Sequence, residues 1–404
     1  MENYVAFLII VGIGYGLLDL LTDRWPALQR QLFPLLLLIA YGLFVIRYYY
    51  GPDIWIYVPH YENIPQPAQL LAHPKIASFE WGYDMFCSLV HQIGASYWGL
   101  TAIITTLYFS AIALLLRKLP TRRIFALGAI LMLDCHMIVN ENRECLAISF
   151  FIFMVLLLQN RKYLWAFLFA FLTVLAHKSG FLPVGLLLMS VLLYNYRQKA
   201  GMFSLLTVLL ILMIVLPVQR ISGALVQQLP LPDTYIVSIE HHLQLGRQIQ
   251  LIGVIYLLVL FAVNMFLQYG KKTRFTWIAL VALCGMAAMV MLYQYYYLLN
   301  RVRSYFVPFV VYYIILLMSD EERSRAVPHS SLIKQALMIL LMVYHSHAAV
   351  SQIKGGRLLH EPMPRACTVL ELRHATSKQI RDRQMRYAYM YWTLDYMKSS
   401  DNKL

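Results

Sequence analysis

Residues 96–158 read SYWGLTAIITTLYFSAIALLL, then RKLPTRR, IFALGAILMLDCHMIV, NENRE and CLAISFFIFMVLLL. Three apolar runs are divided first by a purely basic knot, Arg117 to Arg123, and then by a mixed-charge knot, Asn140 to Glu144. Polar turns between packed helices usually draw on Gly, Pro, Asn and Ser. A run of cations next to a long apolar segment marks the cytoplasmic end of a membrane crossing. The stretch therefore reads as successive helices passing back and forth through a bilayer, with knots on alternate sides.

The same rhythm extends in both directions. Apolar stretches fall at 4–22, 31–50, 96–116, 124–139, 145–158, 163–176, 181–195, 203–218, 250–268, 275–298, 304–318 and 333–350. Several are shorter than the roughly 18–20 residues of a full crossing and imply tilt or partial insertion. Composition agrees: 60% of the 404 residues are hydrophobic and 13% charged, with a mean hydropathy of +0.59. Soluble domains run nearer 45–50% apolar and about 25% charged. A soluble globule, a disordered chain, collagen and a coiled coil are thereby excluded. The expected fold class is an all-α polytopic integral membrane protein of about 10–12 transmembrane helices. Residues 1–350 form its membrane domain, with outer loops 51–95 and 219–248, and 351–404 form a polar, basic tail. Val5 to Leu21 lacks a basic leader and a small-residue cleavage site, and reads as a retained first span. Cys87, Cys135, Cys145, Cys284 and Cys367 are scattered, as packing residues are.

The net charge of +14 is unevenly spread. Loops 23–30, 117–123, 159–162, 196–199, 271–274 and 319–334 carry sixteen of the 34 Lys and Arg, whereas the opposite loops carry eight and the tail ten. The positive-inside rule puts the first set in the cytoplasm and the two long loops outside. With twelve spans the tail ends outside despite its basic charge; a re-entrant 333–350 returns it inside, and both arrangements stay open.

On the outer side the unusual polar residues collect. They are Arg47 with Gly51, Pro52 and Asp53; Trp55, Tyr57, His60 and Tyr61; Glu80-Trp81-Gly82; Asn140 to Glu144; His177-Lys178-Ser179; and Asn300 to Tyr305. Ionisable groups at membrane depth are costly and normally pair with one another or line a watery cavity. Local ion pairing is the bland alternative for Arg143 between Glu141 and Glu144, and headgroup snorkelling for His177-Lys178. Tyr293 to Tyr297 fits an interfacial aromatic belt. Asp134 is a lone intramembrane acid, and His345 and His347 lack a metal-ligand set.

Arginine presents a planar fork that fits phosphate oxygens in pairs. Arg47, Arg143, Lys178, Arg301 and Arg303 suit a lipid-linked pyrophosphate, with Glu141 beside them. Asp53, Glu80 and Glu141 suit positioning or deprotonation of a sugar hydroxyl, and Trp55, Tyr57 and Tyr61 suit stacking on sugar rings. No phosphate-binding loop or dinucleotide fingerprint occurs, so no nucleotide is expected, and no acidic pair has a clear metal geometry, so no metal or other cofactor is expected.

In this order the knots resemble the EpsG family of Wzy-like exopolysaccharide and O-antigen polymerases. The matching positions are Arg47, Gly51, Asp53 and Tyr57; Glu80 and Gly82; Asn140, Arg143 and Ala147; His177, Lys178 and Ser179; and Arg301 or Arg303 before Tyr305 and Phe306. Glu144 departs from a usual Gln, and Pro52 from a small polar residue. The resemblance implies a GT-C-like bundle with an outward-facing site in a bacterial cytoplasmic membrane. It implies a glycosyltransferase that moves a growing glycan from undecaprenyl pyrophosphate to the next lipid-linked repeat unit. Its partners would be that lipid-linked oligosaccharide, membrane lipids, and a chain-length regulator or flippase, with no nucleic acid. Asp53, Glu80, Arg143 and His177 would be catalytic, and Arg47, Glu141, Lys178, Arg301 and Arg303 would hold pyrophosphate.

Three other readings stand beside it. A lipid-glycan flippase would need cations near the midplane, commonly between related repeats, and no repeats are present. A ligase or another lipid-sugar transferase shares the outward charges. A scaffold in an export complex would not need them.

Overall fold

The computed structural model describes residues 4–48, 53–196, 277–292, 296–318, 367–368, 378 and 382. Their regular structure is helical apart from one two-residue ladder, in which β1 (Arg47–Tyr48) pairs antiparallel with β2 (Cys367–Thr368). The helices are α1 (Tyr4–Leu21), α2 (Pro26–Val45), α3 (Ile54–Glu62), α4 (Pro67–Ala72), α5 (Trp81–Gln92), α6 (Tyr97–Leu116), α7 (Arg123–Asn140), α8 (Asn142–Gln159), α9 (Tyr163–Ala176), α10 (Phe181–Tyr196), α11 (Trp277–Met291) and α12 (Tyr296–Met318).

The chain is a multi-pass membrane protein. Among the described residues three helices, α2, α6 and α8, are long and apolar enough to cross a bilayer, and shorter apolar segments lie at Leu8–Leu21, Tyr163–Ala176, Lys178–Leu188 and Trp277–Met289. A 14-residue helix such as α9 rises only about 21 Å, short of a hydrocarbon core about 30 Å thick. The expected spans 203–218, 250–268 and 333–350, the loop 219–248, Tyr293 to Tyr295, the two histidines at 345 and 347, and nearly all of the tail lie outside the described residues.

Helix boundaries follow local chemistry. Pro26 opens α2 at its first turn, where a missing N–H costs nothing, so α2 runs 26–45 rather than the expected 31–50. Ser96 caps α6 by accepting from the Gly99 N–H at 3.4 Å. Residues 51–95, expected as an outer loop, contain α3, α4 and α5. Their lengths of six to twelve residues fall below what hydropathy windows register.

Two compact units divide the chain: Met1–Ile152 with Phe171–Lys178 and Ile314–Leu404, and Phe153–Ala170 with Ser179–Tyr313. In the first, α1 packs along α7, while α2 and α6 pack beside each other. A Cβ on Gly12 would stand 2.7 Å from the Gly128 carbonyl oxygen, and one on Gly128 would stand 2.5 Å from that of Gly12. Only hydrogen fits at this crossing, as at small-residue seams between membrane helices. One end of the same pair is fixed by charge. The buried Asp19 carboxylate on α1 accepts the Phe125 N–H at 3.0 Å and meets Arg122 Nη1 at 3.1 Å, so α1 caps the start of α7. Within the second unit, α10 packs on α11, the Gln159 side chain accepts the first N–H of α11 at 3.0 Å, and Gly285 admits the Phe306 ring.

Gly128→Leu should therefore separate α1 from α7. The expected loss is about 1–3 kcal/mol, the usual cost of overpacking. It would be read as a lower thermal midpoint of the detergent-solubilised protein against Gly14→Leu, where a Cβ meets open space.

Candidate functional site

Glu80 closes the segment before α5 in extended conformation, and its side chain makes no capping bond to its own helix. It turns instead to Arg143, in the first turn of α8. Arg143 Nη1 donates to Glu80 Oε2 at 2.8 Å. The other carboxylate oxygen accepts the Lys178 N–H at 3.3 Å and lies 3.9 Å from His177 Nδ1. Gly82 makes this reach possible. A Cβ there would fall 2.5 Å from the Leu175 Cβ and 2.7 Å from its carbonyl oxygen, so the start of α5 rests directly on the end of α9. The Glu-x-Gly pair thus has one physical meaning: the glycine permits the approach that the carboxylate uses.

Arg143 is boxed on its remaining sides. Its Nε donates to the Tyr57 hydroxyl at 3.1 Å, and the guanidinium carbon lies 4.1 Å from the Phe79 ring centroid and 5.6 Å from that of Tyr57. Such cation–π contacts are worth about 0.5–2 kcal/mol, more as water is excluded. Among the described residues Nη2 has no partner, and the side chain is 22% exposed. Among the described residues the arrangement is a fixed cation with one pair of N–H groups still to give.

The electrostatics are mutual. Burial alone would raise the Glu80 carboxyl, but the His177 and Arg143 charges and the Lys178 N–H outweigh it and hold the group below the ordinary carboxylate range. Burial pushes the Tyr57 phenol well above its ordinary value, so it stays neutral beside the guanidinium. Asp53 and Glu141 both add negative charge at Tyr57, which draws them into the same electrostatic cluster.

Glu80, Arg143, His177 and the Lys178 backbone thus come together in the first unit. Asp53 ends the segment before α3, and its side chain makes no capping bond to that helix. His177 is buried and Lys178 exposed. Arg47 forms part of β1, and Trp55 lies in α3; both side chains are outside the described residues. Tyr57 and Tyr61 are 5% and 2% exposed, so their rings serve as internal packing and present no open face for a sugar. Tyr61 donates to the Ala95 carbonyl at 2.8 Å. Arg301 and Arg303, expected in a loop, sit inside α12 in the second unit, because the helix already begins at Tyr296. In that unit Ser179 and Tyr305 place their hydroxyls 3.1 Å apart.

Sequence reasoning gave Phe79 and Asn142 no role of their own. Asn142 Nδ2 donates to the Tyr97 hydroxyl at 2.9 Å and ties the start of α8 to the start of α6. An aromatic next to a membrane-edge carboxylate was the available signal for Phe79.

A helical, multi-pass membrane chain with a paired arginine and carboxylate in its first unit sets the class. Within it, this chain belongs to the EpsG family, whose pattern matches residues 31–354, and is thereby linked to exopolysaccharide biosynthesis. No curated protein and no solved structure matches it.

A carboxyl held below its ordinary range contributes stability that is present above its unfolded value, about 4.3, and lost as pH falls through the folded one. Acidification below pH about 4 should lower the thermal midpoint of the wild type more than that of Glu80→Gln. Parallel melting curves would remove Glu80 from the ion pair.

Proposed function

We propose that this protein is a polysaccharide polymerase, transferring a growing glycan from undecaprenyl pyrophosphate to the next lipid-linked repeat unit at the outer face of the cytoplasmic membrane. One observation carries the reading: Arg143 is locked by Glu80, Tyr57 and Phe79 and, among the described residues, keeps Nη2 for an incoming anion. Membership of a family linked to exopolysaccharide biosynthesis supplies the substrate class.

In the proposed reaction the acceptor hydroxyl oxygen forms a bond to the anomeric carbon. The bond from that carbon to the pyrophosphate oxygen breaks, and its electron pair leaves with the lipid pyrophosphate. A pre-placed cation stabilises the charge that grows there without reorganising, a contribution of about 3–4 kcal/mol for a well-aimed donor. Glu80 is engaged on both oxygens and is a weak base below its ordinary range. Its role is to aim Arg143. The hydroxyl proton passes to Asp53, the acid at the start of α3 whose charge reaches the same cluster.

The test is an in vitro reaction of the purified protein in lipid with undecaprenyl-pyrophosphate-linked repeat units, read as a gel ladder. Arg143→Ala should lose the ladder, a fall of about a hundredfold or more, with membrane insertion unchanged; a normal ladder would remove Arg143 from the reaction. Asp53→Asn keeps the shape and should abolish turnover, and near-normal turnover there would exclude Asp53 as the base. Translocation of the lipid without any ladder would make the protein a transporter.

A further inference from the structure

Outside the charged cluster lies a buried acid that neither the family motifs nor the proposed chemistry uses. Asp84, in the first turn of α5, is fully buried. Its Oδ2 accepts the backbone N–H groups of Ser78 at 2.7 Å and Phe79 at 3.1 Å. Its Oδ1 lies 2.8 Å from His60 Nε2 on α3, a polar contact rather than a directed hydrogen bond. The His60 ring in turn meets the Phe79 ring edge-on, with centroids 4.4 Å apart.

The acid in a capping box reaches back to the N–H of the residue that caps its own helix. Asp84 reaches further, to the two residues before Glu80, and so folds the backbone of 78–80 back over the start of α5. That loop carries two of the three groups that hold Arg143: the Phe79 ring lies against the guanidinium, and the Glu80 carboxylate bonds to Nη1. The two N–H groups are backbone donors on the segment leading to a half-buried site, where a donor left without an acceptor is costly. Without Asp84 the segment must find acceptors elsewhere, and Phe79 and Glu80 move with it.

We propose that Asp84 and His60 are positioning residues for the transferase reaction, setting the place of Arg143 through the Phe79–Glu80 segment. Neither touches the reacting atoms. The proposal rests on the polymerase reading, in which Arg143 meets the leaving pyrophosphate. A displacement near 1 Å of an oriented catalytic group costs up to about a hundredfold in rate. The effect belongs to kcat, because the charge that Arg143 opposes develops on leaving.

The experiment is a pair of double-mutant cycles in the in vitro polymerisation assay, with the same lipid-linked repeat units as donor and acceptor. Asp84→Asn retains an oxygen for the two N–H groups and loses the charge; His60→Gln leaves the carboxylate bonds intact and removes the ring from Phe79. Each is made alone and in an Arg143→Lys background. Both single variants should lower kcat about tenfold with KM within about twofold, and Asp84→Ala should lower it further than Asp84→Asn. In the Arg143→Lys background the two losses should shrink to less than about twofold, since residues acting through one group are not additive. Losses that persist at full size in that background, or that appear only in KM, overturn the positioning role while the polymerase stands. A wild type that forms no ladder overturns the polymerase reading, and the positioning role with it. Should Asp84→Asn fail to fold, His60→Gln decides the question alone.

Discussion

Everything about the site depends on burying one positive charge. A guanidinium withdrawn from water loses hydration that a single carboxylate does not restore, and breaking such a pair by removing one partner costs about 3–5 kcal/mol when it is well buried. Here the pair is partly open, at 22% and 12% exposure, and the cost is shared: Glu80 supplies charge, Tyr57 an acceptor and Phe79 a π face. Each of those groups must itself be held. Gly82 allows the start of α5 to meet α9, Asp84 fixes the turn before it, and Asn142 anchors the start of α8.

Helix α1 and helix α7 are joined on the same terms in a different place. Two glycines bring the backbones together, and one buried acid, Asp19, substitutes for the cap that the sequence before α7 does not supply. Arg122, the residue before α7, lies in the left-handed region at φ 62° and bridges Asp19 and Asp23. The basic knot between α6 and α7 is therefore also a structural joint.

Much of this was legible in the sequence. The long apolar periods placed α1, α6, α7, α8, α9 and α10 within a few residues, because burial in lipid demands continuous hydrophobicity. Arg143 and His177 stood out as charges too close to apolar runs to be ordinary connectors, and Glu80 as the acid of a Glu-x-Gly pair. Less visible were the short helices α3 to α5, whose stability comes from packing on one another rather than from a hydropathy signal. The buried state of Tyr57 and Tyr61 was hidden for a related reason: an aromatic in an outer segment suits a sugar platform and a packed interior equally well. Asp84 gave no signal because its partners are backbone groups, which every residue possesses. Arg301 and Arg303 were misplaced into a loop because two adjacent apolar runs leave the start of the second helix unmarked.

Between α7 and α8 stands a single residue. The Glu141 N–H closes α7 on the Met137 carbonyl, and the Glu141 carbonyl opens α8 by accepting from Cys145. One peptide thus ends one helix and begins the next, with no slack between them. Successive helical residues are about 100° apart around the axis, so the rotational phase of α8 is dictated by where α7 stops. Adding or deleting one residue at this joint would swing Arg143 about a quarter turn or more away from Glu80 while leaving composition and hydropathy nearly unchanged. The length of the Asn140 to Glu144 knot is itself a specification, as strict as the identity of the arginine it carries.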